Sequence, residues 1–271
     1  MTLLGLMFGA IVGFSLGLTG GGGAIFAVPL LVYGLHLTSS EAVGVSLLTV
    51  GGTALVGFLQ RVRTGLVEFP TGLLFAGAGM LTAPLGAWLS AWMPEALLLT
   101  SFGALMLVIA FRMWQKAARD EPSTVCVPAD DYAGPTCRRD PAGVLRLTSR
   151  CAMLLGVVGL ATGVFTGLFG VGGGFLIVPA LVTFSGMGMQ RAIGTSLLVI
   201  TLVSISGIAN HFVAGGGLPW TIAGLFLGGS LAGLFAGTAL SKRLGGPRLQ
   251  QVFAAAIVAV GLLVIVRNLR S

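Results

Sequence analysis

The chain has 271 residues, of which 55% are hydrophobic and only 8% are charged. An ordinary soluble domain carries about 25% charged residues, so this composition argues against a soluble protein and predicts one that resides in a membrane. The net charge of +7 follows from where basic residues lie relative to the bilayer, and it does not indicate nucleic-acid binding.

Taken in chain order, the apolar runs predict two short segments followed by three longer ones in each half. The predicted segments are 3–18, 23–36, 41–60, 70–92 and 95–115, then 151–169, 174–187, 190–210, 218–241 and 249–268. The longer ones reach the roughly 20 residues that a helix needs to cross a bilayer. The sequence therefore predicts an all-α integral membrane protein with one transmembrane repeat at 1–115 and another at 150–271. A polar, partly disordered linker, 116–149, joins them.

The two halves repeat each other at an offset of 150 residues. Gly17–Pro29 reads GLTGGGGAIFAVP, and Gly167–Pro179 reads GLFGVGGGFLIVP. The same register matches Ala42, Gly44, Ser46, Leu47 and Leu48 with Ala192, Gly194, Ser196, Leu197 and Leu198, and Gly9 and Gly13 with Gly159 and Gly163. Paired glycine breaks in the two halves of a membrane chain point to a transporter's binding site.

The basic residues predict the orientation, because cytoplasmic loops are enriched in Lys and Arg. If the linker is cytoplasmic, 13 of the 15 basic residues lie inside, and only Arg267 and Arg270 lie outside. Both termini are then external, and each half contains an odd number of crossings. The two repeats are therefore predicted to have inverted topologies.

The glycine clusters supply the predicted substrate site. A half-helix that begins at such a break offers free backbone N–H groups and a partial positive charge to an anion. The predicted binding glycines are Gly20, Gly21, Gly22 and Gly23 in the first half and Gly170, Gly172, Gly173 and Gly174 in the second. Pro29 and Pro179 are predicted to break or kink the half-helices that follow. The alternative is that the glycines only allow close helix packing.

Two geometries remain open for each glycine break. In the first, favoured by the shortness of the second segments, the pair forms a re-entrant hairpin with its turn near the midplane. In the second, both pieces cross steeply and turn at one surface.

Polar side chains near the breaks extend the predicted site. Ser46 and Ser196 occupy equivalent positions, with Thr195 beside the second, and their hydroxyls can donate hydrogen bonds to an oxyanion. All eight acidic residues lie outside the apolar runs or at their edges, which favours an anion over a cation as the substrate. The hydroxyls have the alternative of bonding within the protein.

Two further pairs, Gln60-Arg61 and Asn210-His211, also correspond at the 150-residue offset. Inverted topology would place one pair at each mouth of the pathway, where Arg61 and His211 could attract an anion. The alternative for both is anchoring at the membrane interface.

Cysteine and histidine are too sparse to predict a metal site or another cofactor. The three cysteines, Cys126, Cys137 and Cys151, lie in or beside the linker, and the two histidines are remote in sequence. We interpret Cys126 and Cys137 as ordinary loop thiols, with a redox pair as the alternative. The spans also lack a nucleophile with a base, so the protein is predicted not to be an enzyme.

The doubled pattern resembles the TauE/SafE sulfite exporter family of bacterial membrane proteins. Each glycine-rich stretch ends in Val-Pro, and an Ala-x-Gly-x-Ser-Leu-Leu stretch follows it at Ala42–Leu48 and Ala192–Leu198. The resemblance implies proton-linked secondary transport of a small sulfur-containing anion, such as sulfite or an organosulfonate, across the cytoplasmic membrane. It leaves open the direction and the oligomeric state, and it does not explain the linker.

The two half-sites differ, since Gly21–Ala24 corresponds to Val171–Gly174.

The alternatives to a carrier are an anion channel of other specificity, a membrane-embedded enzyme or an assembly subunit.

Overall fold

The computed structural model describes residues 2–90, 149–169, 174–185, 187–213 and 217–243. It also describes isolated positions at 92, 101, 104, 107–108, 111, 138–139, 145–146, 251, 255 and 258. Most of the linker, with Cys126 and Cys137, and most of the predicted segments 95–115 and 249–268 lie outside these residues.

The described part is helical apart from its turns and one short pair of strands. The helices are α1 (Thr2–Thr19), α2 (Gly23–Pro29), α3 (Ser39–Val62), α4 (Phe69–Ser90), α5 (Ser149–Phe169), α6 (Gly174–Phe184), α7 (Met189–Val213) and α8 (Trp220–Arg243). A π-helical segment, Leu30–Gly34, continues α2. Within the linker, β1 (Arg138–Arg139) pairs antiparallel with β2 (Leu145–Arg146), which the prediction of a partly disordered linker did not include.

Four of these helices are long and apolar enough to cross a membrane. The spans are Ser40–Val62, Phe69–Gly86, Met189–Val213 and Trp220–Ser241, and two shorter apolar helices cover Leu3–Thr19 and Met153–Gly167. The prediction of an all-α, multi-pass membrane protein is confirmed.

A capping box fixes where α3 begins. The Thr38 backbone N–H donates to Glu41 Oε2 (3.1 Å), and the Glu41 N–H donates to Thr38 Oγ1 (3.4 Å). These two bonds satisfy backbone donors that the first helical turn leaves without partners. They explain why a glutamate stands at this end of a membrane helix.

The segment α2 and the π-helical turn fold back along α1. A Cβ on Gly23 would overlap Val12 of α1, and one on Gly34 would overlap the ring of Phe8. The residue numbers run in opposite senses, so α1 and its continuation form a helical hairpin with the glycine break at its tip. Whether that tip lies near the midplane or at a surface stays a prediction.

Helix α1 packs closely against α8 and runs parallel to it. A Cβ on Gly9 would overlap the Phe226 carbonyl, and one on Gly13 would overlap the Ser230 carbonyl. Small residues at a four-residue spacing allow this backbone approach in lipid. The first helix of the first repeat therefore pairs with the fourth of the second.

The reciprocal pair, α4 and α5, is also parallel. A Cβ on Gly159 would lie 3.0 Å from Ala78, and one on Gly163 would overlap Thr82. A shift of 150 residues converts α1 into α5 and α4 into α8. The two pairs therefore correspond to each other.

Helices α3 and α7 cross antiparallel. A Cβ on Gly51 would lie 2.6 Å from Ser204, and one on Gly57 would lie 3.1 Å from Leu197. Because these two helices correspond at the 150-residue offset, an antiparallel crossing is what inverted halves would produce. The contact supports the predicted inversion.

Two groups of parallel helices result. Helix α3 runs with α8, since Gly52 faces Leu227 and Gly57 faces Leu234. Helix α7 runs with α4, since a Cβ on Gly72 would lie 2.8 Å from Leu198 and one on Gly79 would lie 3.9 Å from Val203. We call α1, α3 and α8 the first group and α4, α5 and α7 the second group. Each group draws helices from both halves.

Candidate substrate site

The first glycine break is a tight backbone turn between α1 and α2. Gly20 has φ +76°, a left-handed conformation that glycine adopts readily. Its N–H donates to the Leu16 carbonyl (2.7 Å), and the Gly22 N–H donates to Thr19 Oγ1 (2.9 Å). Thr19, which the sequence analysis did not single out, therefore already occupies one of the backbone donors in this cluster.

The two glycine breaks meet in the interior. A Cβ on Gly174, at the start of α6, would lie 3.1 Å from the Cα of Gly21 and 2.6 Å from Ile200 Cδ1. A Cβ on Gly20 would lie 2.5 Å from Ile193 Cγ2. Both breaks thus contact α7 and approach each other, while Gly170, Gly172 and Gly173 lie outside the described residues.

Helix α7 passes through the middle of the described molecule. Every residue from 192 to 201 is buried, including the predicted site residues Thr195 and Ser196. A helix buried on all sides can contact both breaks. This position explains why α7 carries an uninterrupted run of small and aliphatic side chains.

The hydroxyls of Ser196 and Thr195 are engaged within the protein. Ser196 Oγ lies 2.8 Å from the Gly20 carbonyl and 2.9 Å from the Ile193 carbonyl, to either of which it can donate. Thr195 Oγ1 accepts a bond from the Glu68 N–H at 3.1 Å. Ser196 therefore supports the shape of the first break, and Thr195 faces the loop that leads into α4.

The hydroxyls on α3 have different hydrogen-bond partners within the described residues. Ser46 is 6% exposed and makes no hydrogen bond within the described part of the chain. One turn later, Thr49 is fully buried and its Oγ1 has no partner there. Thr53 Oγ1 shares a 2.6 Å hydrogen bond with Ser230 Oγ of α8. Gly170, which corresponds to the Gly20 that Ser196 meets, lies outside the described residues.

Arg61 is buried, with 5% of its surface exposed. Its Nη1 donates to Gln190 Oε1 (2.9 Å), and its Nη2 donates to Ser241 Oγ (3.1 Å). Gln190 Nε2 in turn donates to the Ser241 carbonyl (2.8 Å). An arginine that anchors the protein at the membrane interface would be exposed, so this burial argues against that alternative for Arg61. The neighbouring Gln60 is half-buried. No sequence pattern points to Gln190 or Ser241, which do not correspond to a similar pair in the first half.

His211 lies at the opposite end of the α3–α7 crossing. Its Nε2 is 3.4 Å from the Gly217 carbonyl and would be 2.6 Å from a Cβ on Gly44. Asn210 beside it is exposed. The two pairs predicted for the mouths therefore occupy opposite ends of the molecule, but only the Arg61 end is tied by side-chain bonds between α3 and α7.

The two prolines have different surroundings. Pro29 stands where α2 ends and the hydrogen bonding changes to the π-helical pattern of Leu30–Gly34. Pro179 lies inside α6, which continues to Phe184. The change of helix type is therefore seen only after the first of them.

Charges gather at the end of the molecule that carries Arg61. Glu68 Oε1 lies 4.0 Å from Arg191 Nη1. Arg63, directly after α3, and Arg243, the last residue of α8, are exposed. The described acidic residues, Glu41 and Glu68, both stand at helix beginnings. Among the described residues, no group of three His, Cys, Asp or Glu could hold a metal ion.

Comparison with known proteins gives the family. The sequence model of the sulfite exporter TauE/SafE family matches residues 5–264. The chain belongs to this family. A probable membrane transporter protein of Xylella fastidiosa strain 9a5c is 34% identical over 97% of this chain and 94% of its own length. No solved structure gives a significant match.

More distant relatives are also named as probable membrane transporter proteins. The Bacillus subtilis probable membrane transporter protein YdhB is 27% identical over 79% of this chain and 80% of its own length. A Haemophilus influenzae probable membrane transporter protein is 27% identical over 80% of this chain and 76% of its own. The TauE/SafE protein described here is therefore a multi-pass membrane protein with a transport function, and its family favours the prediction that it is not an enzyme.

Proposed function

We propose that the protein is a secondary transporter of a small sulfur-containing anion, sulfite or an organosulfonate, across the bacterial cytoplasmic membrane. The observation that carries this proposal is the approach of the two glycine breaks, with Gly174 against Gly21 beside α7. Irregular backbone is tolerated at membrane depth only where protein or a water-filled cavity surrounds it. Two such breaks in contact are what a shared substrate site requires.

The anion is held by backbone N–H groups at the breaks and by hydroxyls of α3. Ser46 is available for this role because its hydroxyl is not engaged within the described residues and is slightly exposed. Ser196 holds the Gly20 carbonyl instead, so it shapes the site from behind. The proposed site is therefore asymmetric, with its donor hydroxyl on the first half.

The proton of the proposed coupling travels on the substrate. Sulfite exists near neutral pH as both a singly and a doubly charged anion, so carrying the protonated form moves a proton with it. The described carboxylates, Glu41 and Glu68, stand at helix beginnings rather than mid-helix, which is why we assign the proton to the anion.

The test is uptake and counterflow of radiolabelled sulfite in proteoliposomes, with sulfoacetate, sulfate and chloride as competitors. We expect saturable exchange that sulfite and sulfoacetate block and chloride does not. Flux that does not saturate and shows no counterflow would instead indicate an anion channel. Absence of flux for all these anions, in protein whose folding is verified, would contradict the assignment of the substrate.

Proton linkage has its own measurement. Uptake is measured across a range of pH with the concentration of the singly charged species held constant. If the substrate carries the proton, we expect the rate to stay constant across this pH range, because the concentration of the transported species does not change. A rate that tracks the doubly charged species would contradict that role.

A further inference from the structure

Arg61 is a buried charge whose partners among the described residues are neutral. Within the described part of the chain no carboxylate lies within ion-pair distance of it, and its acceptors are the side chain and carbonyl of Gln190 and the hydroxyl of Ser241. Burying a cation without a counter-charge is costly. The ends of α3 and α8 offset part of this cost, because helix C-termini carry partial negative charge.

The Arg61 contacts join the two groups of parallel helices. Arg61 belongs to α3 and Ser241 to α8, both in the first group, while Gln190 belongs to α7 in the second group. Gln190 bonds to both, with its amide accepting from Arg61 and donating to the Ser241 carbonyl. Separation of the groups at this end must break these bonds.

The bonds of Arg61 and the first glycine break both involve α7, at neighbouring positions along that helix. Gln190, Ile193 and Ser196 are three residues apart, so they follow one face of the helix. Ile193 faces Gly20, and the Ser196 hydroxyl can donate to the Gly20 carbonyl. An opening at Gln190 therefore leads towards the proposed substrate site.

We propose that Arg61, Gln190 and Ser241 form a latch that a small oxyanion opens by binding to the guanidinium of Arg61. This proposal rests on the proposed transport of an anion and extends it to a second binding position at the end of the pathway that carries the latch. The anion takes the places of Gln190 Oε1 and Ser241 Oγ, which frees α7 from α3 and leaves the bond from Gln190 to the Ser241 carbonyl as its described tie to α8 at this end. The ligand class is a sulfonate or sulfite group.

The chemistry of guanidinium favours this exchange. Its planar fork of N–H donors matches two oxygens of an oxyanion, and a charged acceptor binds it more strongly than a neutral amide or hydroxyl. The exchange breaks the three hydrogen bonds that Arg61 donates to Gln190 and Ser241. The bond from Gln190 Nε2 to the Ser241 carbonyl must then break as the groups separate. The exposed Arg243 raises the local concentration of anions.

The test uses a cysteine behind the latch. Cys126, Cys137 and Cys151 are replaced by serine, Ile193→Cys is introduced, and labelling by a maleimide is timed in nanodiscs. Methanesulfonate is the probe, because sulfite itself reacts with maleimides. We expect Gln190→Ala to speed labelling about tenfold, since it removes a hydrogen bond to a charged group, and Ser241→Ala to give a smaller increase.

The anion dependence decides the role of Arg61. Methanesulfonate should speed labelling when Arg61 is present, whereas Arg61→Gln should label fast without the anion and no longer respond to it. Arg63→Gln, which changes an exposed arginine two residues away, should keep both the slow labelling and the response. Labelling that Gln190→Ala leaves unchanged, or a response that survives Arg61→Gln, would overturn the proposal. Because labelling requires no flux, a failure of sulfite transport is seen separately in the proteoliposome assay.

Discussion

Gly20 is subject to two constraints at once, a left-handed backbone and a neighbour within contact distance. Its φ is +76°, and an added Cβ would lie 2.5 Å from Ile193 Cγ2. Gly65 has the first constraint without the second, with φ +67° and no atom within 4 Å of an added Cβ. Gly77 is helical and equally open. These three glycines separate backbone strain from steric overlap.

We expect the alanine variants of these glycines to rank in stability. Gly77→Ala should be neutral or stabilising, since glycine within a helix costs about 0.5–1 kcal/mol relative to alanine. Gly65→Ala should lose roughly 1–2 kcal/mol from the left-handed conformation, and Gly20→Ala should lose more. Thermal unfolding in detergent, followed by tryptophan fluorescence, measures the order. Equal melting temperatures for Gly20→Ala and Gly77→Ala would show that the break does not require glycine.

The two matched serines should differ in what their loss affects. Ser46→Ala should raise the KM for the transported anion about tenfold with little change in melting temperature, because a bond to a charged ligand is worth roughly 1.5–3 kcal/mol. Ser196→Ala should lower the melting temperature, since it leaves the buried Gly20 carbonyl without that donor. Flux kinetics and unfolding of both variants test this. The reverse pattern would place the substrate beside Ser196.

At the scale of the element, backbone contact between α1 and α8 dominates the packing. On α8, Gly229 and Gly233 face the Leu6 and Ala10 carbonyls of α1. No methyl group fits between two backbones at this separation. The contact therefore depends on glycine along both helices.

We expect Gly13→Ala to be strongly destabilising, because its Cβ would overlap the Ser230 carbonyl. Overpacking of a rigid contact costs typically 1–3 kcal/mol. Gly228→Ala is the matched control, since Gly228 lies on α8 itself and has no atom within 4 Å of an added Cβ. Resistance to unfolding by SDS measures both. A Gly13→Ala protein as stable as Gly228→Ala would contradict the contact.

Much of the element level could be predicted from the sequence, since apolar runs and glycine breaks are local signals. Eight of the ten predicted segments coincide with described helices to within a few residues, and the other two, 95–115 and 249–268, lie mostly outside the described residues. The pairing of α1 with α8 could not be predicted, because it depends on which distant glycine face is complementary. In the sequence, Gly9 and Gly13 stand out only because they match Gly159 and Gly163 in the repeat, and nothing there indicates which helix they contact.

The sequence predicts which residues form the candidate site, but it does not predict their hydrogen bonds. Ser196 can bond to the Gly20 carbonyl, whereas Gly170, which corresponds to Gly20 and would be the equivalent partner of Ser46, lies outside the described residues. Thr195 accepts a bond from Glu68, a partner 127 residues away that no local pattern indicates. The partners of Arg61 are likewise set by the crossing of α3, α7 and α8, which no local pattern reveals.

At the scale of the whole molecule, the directions of the helices predict the sidedness of the chain. With α3 antiparallel to α7, the linker and the termini should lie on opposite sides of the membrane. In right-side-out vesicles, an impermeant maleimide should label Cys126 and Cys137 only after permeabilisation, whereas a Ser271→Cys variant that lacks the native cysteines should be labelled at once. Labelling of the linker from outside would reverse the orientation.

The exchange of helices between halves also has a consequence for synthesis. The glycine face of α1 leaves the ribosome long before its partner α8, which ends at Arg243. At about 5–20 residues per second, the interval is roughly 10–45 s. During this time the newly made first half stays in the bilayer with its most closely fitting surface uncovered. The first half therefore already waits in the bilayer for its partner helix when the chain is intact. We expect the two halves, synthesised as separate polypeptides divided within the linker, to assemble once both are in the membrane.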